Sequence, residues 1–352
     1  MERHIDIRIS HIDPLASPDV LSEQHPVSIE LTRSILASRE TVNAIIKHED
    51  KRLLAIVGPC SIHDPLAALE YAQKLKVLAD ELQDELYIVM RTYFEKPRTI
   101  GGWKGLILDP HLDGSYDIQS GIAAARKLLI DITSLGLPVG CEMLDPIVPQ
   151  YIDEMLSWCS IGARTNESQT HRTLASGMSV AVGFKNSTNG EYATAANAIK
   201  SARQGAAFIG VDKSGNLAIY RTVGNDCGHL ILRGGDHGPN YYEEDVEAAA
   251  LLMEKMELNP SILVDCSHSN SRKDPYRQKR VLRAVIDQVV WGKQEIRGFM
   301  LESNLFSGCQ TIGDNPEALK YGVSVTDACI GWDETEEVLR KAVQTLRKGR
   351  EH

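Results

Sequence analysis

No stretch of the 352 residues approaches the ~18 uninterrupted apolar positions of a membrane-spanning helix. The first residues, MERHIDIRISHIDP, lack the apolar core of a secretory signal. The seven cysteines are odd in number, scattered, and never spaced as Cys-x-x-Cys. That speaks against a disulfide framework or an all-cysteine zinc site, and for reduced thiols in a cytoplasmic protein. Positive charge is in deficit: 38 Lys and Arg face 48 Asp and Glu, a net charge of −10. A broad nucleic-acid surface is thereby disfavoured, although a local basic pocket for a small anion is not. No Gly-x-Gly-x-x-Gly follows the first apolar run, so nothing suggests a dinucleotide. Internal repeats, low-complexity segments and an interdomain linker are also missing.

What is present is a rhythm. After an arm and one amphipathic helix (1–50), apolar runs alternate with helical patterns. The runs fall at 53–57, 86–90, 137–141, 160–163, 180–184, 206–211, 262–265 and 298–301. Each is followed, sooner or later, by an apolar pattern of helical period. Repeated βα units imply a parallel sheet, and eight of them imply closure. The expected fold is therefore α/β, a (β/α)8 TIM barrel in a single domain, 1–352. It carries an N-terminal helical arm and a β-hairpin inserted after the sixth strand, within 212–235. An open doubly wound sheet is the alternative.

The residues that end these runs are chemical rather than structural. Seven of the runs lead into Cys60, Arg91, Glu142, Arg164, Lys185, His268 and Glu302, and the inserted hairpin ends in Arg233. In a (β/α)8 barrel the C-terminal strand ends form one face, so all eight are expected around one mouth. The 87–104 stretch adds Lys96, Arg98 and Lys104 on a Gly- and Pro-punctuated loop. Cys60, His268 and Glu302, with Asp327, offer one soft, one borderline and two hard ligands. Such a set suits Mn2+, Fe2+, Co2+ or Zn2+ better than Mg2+ or Ca2+. Arg91, Lys96, Arg164, Lys185 and Arg233 are enough cations for a carboxylate and a phosphate on one small molecule.

Five short motifs carry a family resemblance. Gly58-Pro59-Cys60-Ser61, Lys96-Pro97-Arg98-Thr99, Gly162-Ala163-Arg164-Thr165, Gly183-Phe184-Lys185-Asn186 and Asp265-Cys266-Ser267-His268 resemble those of type I 3-deoxy-D-arabino-heptulosonate 7-phosphate (DAHP) synthases. The likeness runs from about 52 to 332 and points to the amino-acid-regulated microbial subtype. It implies condensation of phosphoenolpyruvate with erythrose 4-phosphate, the entry to the shikimate pathway. By matching motif, Cys60, His268, Glu302 and Asp327 would hold the metal. Arg91, Lys96, Arg164, Lys185 and Arg233, with the backbone of Ala163, would bind phosphoenolpyruvate. Lys96, Pro97, Arg98 and Thr99 would face erythrose 4-phosphate. Asp327 would lie against the substrates as well, Lys96 would deliver a proton, and Glu142 would hold a water.

The resemblance further implies a homotetramer built from dimers and feedback inhibition by an aromatic amino acid bound between arm and barrel. At the position of Gly210, in Phe208-Ile209-Gly210, Phe-inhibited members commonly carry Ser and Tyr-inhibited ones Gly. Tyrosine is therefore the expected effector, with glycine leaving room for the extra hydroxyl. Three other readings stand beside this one. They are a Schiff-base aldolase using Lys185, a condensation with arabinose 5-phosphate, and a non-catalytic amino-acid sensor.

Overall fold

The structure is a computed structural model that describes residues 5–98, 100–313 and 315–350. Two helices come first, α1 (Pro18–Gln24) and α2 (Ile29–Ile46). Both begin at a serine whose hydroxyl accepts a backbone N–H of the first turn, Ser17 from Val20 and Ser28 from Leu31. The barrel opens with β1 (Leu53–Gly58), α3 (Pro65–Leu82), β2 (Leu86–Arg91), α4 (Ile118–Ser134) and β3 (Val139–Met143). It continues with α5 (Pro149–Ile152), β4 (Trp158–Ile161), α6 (Gln169–Gly177), β5 (Ala181–Lys185) and α7 (Ala193–Ala202). Two more strands follow, β6 (Ala207–Val211) and β7 (Leu217–Arg221), and then β8 (Gly228–Leu232) with α8 (Glu243–Lys255). The last units are β9 (Ile262–Asp265), α9 (Gln278–Val290), β10 (Ile296–Glu302) and α10 (Trp332–Arg350).

Strands β1, β2, β3, β4, β5, β8, β9 and β10 close into one parallel barrel, β1 pairing with both β2 and β10. The TIM barrel expected from the rhythm is therefore present. One assignment needs correcting. The 206–211 run is not the sixth barrel strand; β8 is. Strands β6 and β7 pair only with each other, antiparallel, with Ile209 opposite Ile219 and Val211 opposite Leu217. The hairpin thus spans 207–221 and enters before the sixth barrel strand, not after it, and 228–232 belongs to the barrel. The physical difference is burial. A barrel strand is covered on both faces, and from His229 to Leu232 β8 is fully buried. In β6 and β7 half-buried and exposed residues alternate, with Ile209, Leu217 and Ile219 at 79, 82 and 68% exposure. Apolar content alone could not separate the two cases.

The core has two layers. Outside the barrel, strand residues such as Ala55, Val57, Ile88 and Met90 pack on Ala68, Leu75, Leu129 and Ile132 of the helices. Inside, Leu54, Ile56, Val89, Trp158, Leu263 and Met300 fill the lumen with Val42, Ile45 and Ile46 of α2. Helix α2 thus packs on its own barrel. Arg297, at the start of β10, donates from Nε to the Ile45 carbonyl at 2.9 Å and ties α2 to the strand. A polar pair sits in this lumen. Trp158 Nε1 donates to His229 Nε2 at 3.0 Å, and His229 Nδ1 lies 3.2 Å from the Cys227 carbonyl. Both contacts suit a neutral ring protonated on Nδ1. Burial lowers the His229 pKa to about 4.

Candidate active site

The strand ends converge as the sequence leads one to expect. Arg91, the last residue of β2, is fully buried and reaches Glu302, the last of β10, with Nη2 to Oε1 at 3.2 Å. Its Nε donates to the Pro59 carbonyl at 3.3 Å, and its guanidinium lies 4.0 Å from the Tyr93 ring centroid. Its Nη1 is buried and has no hydrogen-bond acceptor among the described residues. A buried, unsatisfied guanidinium donor beside a barrel mouth is suited to an incoming anion.

Lys96 lies on the loop after β2. Its Nζ donates to the Cys60 carbonyl and lies 3.1 Å from Cys60 Sγ. Burial works against its charge, but Cys60, Glu302 and Glu142 outweigh it and raise its pKa. Burial, reinforced by Glu302 and opposed by Lys96, pushes the Cys60 thiol up to about 11. A thiol in this state loses its proton to metal binding rather than to solvent.

A second ion pair crosses from β3 to β5. Lys185 Nζ contacts Glu142 Oε2 at 2.7 Å, with the side chains only 6 and 8% exposed. Burial opposes both charges. The partner carboxylate nonetheless raises Lys185 above its ordinary value, and the ammonium lowers Glu142 below its own. Lys185 is thus held protonated, which is the opposite of what an imine-forming lysine needs.

Three of the four expected metal ligands come together. Ligand atoms of Cys60, Glu302 and Asp327 all lie within 4.8 Å of one another. His268 Nε2 stands 3.8 Å from Glu302 Oε1 and joins them at the edge. Cys60 and Glu302 are buried, whereas Asp327 faces solvent. One thiol and two carboxylates packed this closely, with an imidazole beside Glu302, suit a borderline divalent ion, which would screen the mutual repulsion of the acids.

The remaining expected residues surround this centre. Arg233 follows β8, so it too stands at a barrel strand end. It does so because 228–232 is a barrel strand and not the second strand of the hairpin. Ala163 is half-buried and Arg164 exposed on the turn after β4. Pro97 is half-buried, and Arg98 is exposed, donating from Nε to the Trp103 carbonyl at 2.9 Å. Thr99 lies outside the described residues. Phe208 and Gly210 sit on β6, outside the barrel. There the Phe208 and Tyr220 rings stack at 5.3 Å. The space a Gly210 side chain would take is bounded by the Tyr220 ring, 3.0 Å from an ideal Cβ.

Sequence reasoning missed the residues that hold these groups in place. Four buried asparagines lace the loops together. Asn186 Oδ1 accepts the Arg233 N–H at 2.7 Å, and its Nδ2 donates to the Gly234 carbonyl. Asn240 accepts from Gly234 N–H and receives support from Asn270. Asn166 donates to the Lys185 carbonyl at 2.5 Å. Gly235 is required here, since a Cβ would fall 2.1 Å from the Gly190 nitrogen. Gln278 clamps Glu302 from α9, donating to its carbonyl at 2.9 Å and accepting its N–H at 2.8 Å. Asn186 was visible inside a quoted motif, but its partners are distant in the chain.

Residues 26–340 match the sequence profile of the DAHP synthetase I family. The Tyr-sensitive phospho-2-dehydro-3-deoxyheptonate aldolase of Escherichia coli is 50% identical over 341 residues, covering 97% of this chain and 96% of that one. The Phe-sensitive enzyme of the same organism is 47% identical over 345 residues and covers 98% of each. A solved phospho-2-dehydro-3-deoxyheptonate aldolase from Francisella tularensis superposes with a TM-score of 0.94 at 45% identity, over 96% of this chain and 98% of that one. By sequence and by fold, this chain belongs to the DAHP synthetase I family.

Proposed function

We propose that the chain condenses phosphoenolpyruvate with D-erythrose 4-phosphate and water to give DAHP and phosphate, under feedback control by tyrosine. The observation that carries the catalytic reading is one constellation. The Cys60–Glu302–Asp327 cluster lies beside Lys96, 3.1 Å from Cys60, and beside Arg91, whose Nη1 has no partner among the described residues.

Arg91, Arg164, Lys185 and Arg233, with the backbone of Ala163, would hold the phosphate and carboxylate of phosphoenolpyruvate and orient its enol face. Pro97, Arg98 and Thr99 would face erythrose 4-phosphate. Cys60, His268, Glu302 and Asp327 would hold a divalent metal. When bound, such a metal supplies Lewis acidity toward the aldehyde oxygen. As the enol carbon attacks the aldehyde, negative charge grows on that oxygen. Lys96 keeps its proton in the resting site, so Nζ is a source for it. The second carbon of phosphoenolpyruvate becomes electron-poor and takes up water. Glu142, ionised beside Lys185, would orient that water and accept its proton. The adduct then expels phosphate, breaking the C–O bond.

The direct test mixes the protein with phosphoenolpyruvate, erythrose 4-phosphate and Mn2+ and follows enol absorbance and product. Loss of phosphoenolpyruvate only when erythrose 4-phosphate is present supports the reading. Equal turnover with arabinose 5-phosphate contradicts the substrate assignment. Borohydride trapping of a substrate on Lys185 would revive the aldolase alternative, which the protonated Lys185–Glu142 pair disfavours.

For regulation, the support is the way arm, hairpin and barrel helices meet. Asp19 N–H donates to the Lys213 carbonyl at 2.8 Å, and Tyr151 donates its hydroxyl proton to the Ala16 carbonyl at 2.8 Å. The two Escherichia coli relatives differ by too little in identity to choose an effector. The choice of tyrosine rests on Gly210. The Tyr220 ring closes on the glycine, 3.0 Å from where a Cβ would stand, so the glycine would act by setting how that ring lies. A homotetramer of dimers is supported by the outward hairpin face of Ile209, Leu217 and Ile219, and by exposed Ile5, Ile7 and Ile9 on the arm. Deleting residues 1–20 should lower the mass seen by light scattering and weaken inhibition more than turnover.

A further inference from the structure

Asp265 is fully buried at the end of β9, and the chemistry above gives it no part. It stands three residues before His268 and meets that ring on the side away from the metal cluster. His268 Nδ1 lies 2.8 Å from Asp265 Oδ2. The same nitrogen lies 2.8 Å from Ser267 Oγ. Ser267 spends its own hydroxyl proton on Asp265 Oδ1, at 2.6 Å. What it presents to the ring is therefore an oxygen lone pair. Oδ2 makes no hydrogen bond among the described residues, so its contact with Nδ1 is electrostatic. With the Ser267 Oγ lone pair turned to it and a carboxylate beside it, Nδ1 carries the proton. The lone pair is left on Nε2, which faces Glu302 at 3.8 Å.

The backbone at His268 needs such help. Its φ is +50°, a left-handed conformation uncommon outside glycine. Asp265 anchors this turn from both ends, accepting the Ser267 N–H at Oδ1 at 2.9 Å and the Asn270 side-chain N–H at its carbonyl at 2.8 Å. Lys185 and Arg91 keep cationic charge nearby, so the carboxylate has compensation in the barrel.

We infer that Asp265 is a positioning residue for the metal site, fixing the tautomer and orientation of His268 so that Nε2 is presented to the ion. The inference rests on the reading of Cys60, His268, Glu302 and Asp327 as ligands. Outer carboxylates of this kind typically change metal affinity by about 10- to 100-fold.

The test titrates Co2+ into metal-free full-length protein, by calorimetry and by the visible spectrum of cysteine-ligated Co2+. Asp265→Ala should weaken Co2+ by about 10- to 100-fold and alter the spectrum. Asp265→Asn, whose amide oxygen can still accept from the Ser267 hydroxyl but carries no charge, should lose less, though measurably. In a His268→Ala background, Asp265→Ala should cost nothing further, because the residue it acts through is gone. Wild-type affinity in Asp265→Ala would overturn the inference. So would an equal loss with and without His268, which would make Asp265 a structural prop. If Asp265→Ala does not fold, wild-type affinity and spectrum in Asp265→Asn together with full loss in His268→Ala would overturn it equally. Wild-type protein that takes up no Co2+ would instead refute the ligand reading beneath it.

Discussion

Exchanging Glu142 for Gln and Lys185 for Met, singly and together, tests the charge balance of the mouth. The pair is 2.7 Å apart and nearly sealed from water. Either single change leaves a buried charge with its partner gone, which typically costs about 3–5 kcal/mol. The double change removes both charges, so it should cost less than the sum of the singles. A coupling energy of ~2 kcal/mol or more is expected. Glu142 is shifted below its ordinary 4.5 and Lys185 above its ordinary 10.5. Glu142 therefore stabilises the fold at pH above 4.5, and that stability is lost as pH falls through its folded value. Lys185 stabilises below 10.5, and that stability is lost as pH rises through its folded value. The coupling should accordingly be constant across neutral pH and fade only in acid or strong base. Urea midpoints for the four proteins give the cycle, and phosphoenolpyruvate titrations report the lost cation. Additive single effects would refute the argument, because they would mean that the two charges do not see each other.

Lys96→Met should lower kcat by more than it raises KM, because the proton matters only as charge grows on the aldehyde oxygen. A pure rise in KM would leave Lys96 a binding residue. His229, neutral with a pKa near 4, binds its proton more readily unfolded, at about 6.5. The fold should therefore lose about 2 kcal/mol from this residue between pH 7.5 and 5, and His229→Gln should flatten that part of the stability profile. An unchanged slope would place the ring in a wetter site than the Trp158 contact implies. Gly210→Ser should shift inhibition from tyrosine toward phenylalanine, read from inhibition curves with all three aromatic amino acids. Wild-type inhibition by Phe or Trp alone would remove the tyrosine assignment.

The barrel was legible because its strands are short apolar runs covered on both sides, each followed by a helix of its own period. The residues proposed for the site stood out for a related reason. A Cys, Arg, Glu, Lys or His directly after a buried strand has no packing role, so its position marks chemistry. The hairpin was misread because Phe208-Ile209-Gly210 is as apolar as a core strand. Its outward face is left exposed by the barrel, and exposure is not written in composition. Asp265 and the buried asparagines were passed over for the opposite reason. Each asparagine looks like ordinary polar punctuation until its partner arrives from another loop: Arg233 for Asn186, the Gly234 N–H for Asn240, the Lys185 carbonyl for Asn166. Asp265 looks like the plain end of a strand until the turn after it folds His268 back beside it.

The central claim is that one metal-dependent condensation takes place where Cys60, Glu302 and Asp327 come within 4.8 Å of one another beside Lys96. The measurement is DAHP formation from phosphoenolpyruvate and erythrose 4-phosphate by chelated protein, before and after Mn2+ is returned, with Cys60→Ala alongside. Activity that vanishes on chelation, returns with Mn2+, and stays absent in a folded Cys60→Ala protein is the expected result. Full turnover by the chelated protein, or a Cys60→Ala variant restored to wild-type rates by Mn2+, would contradict it.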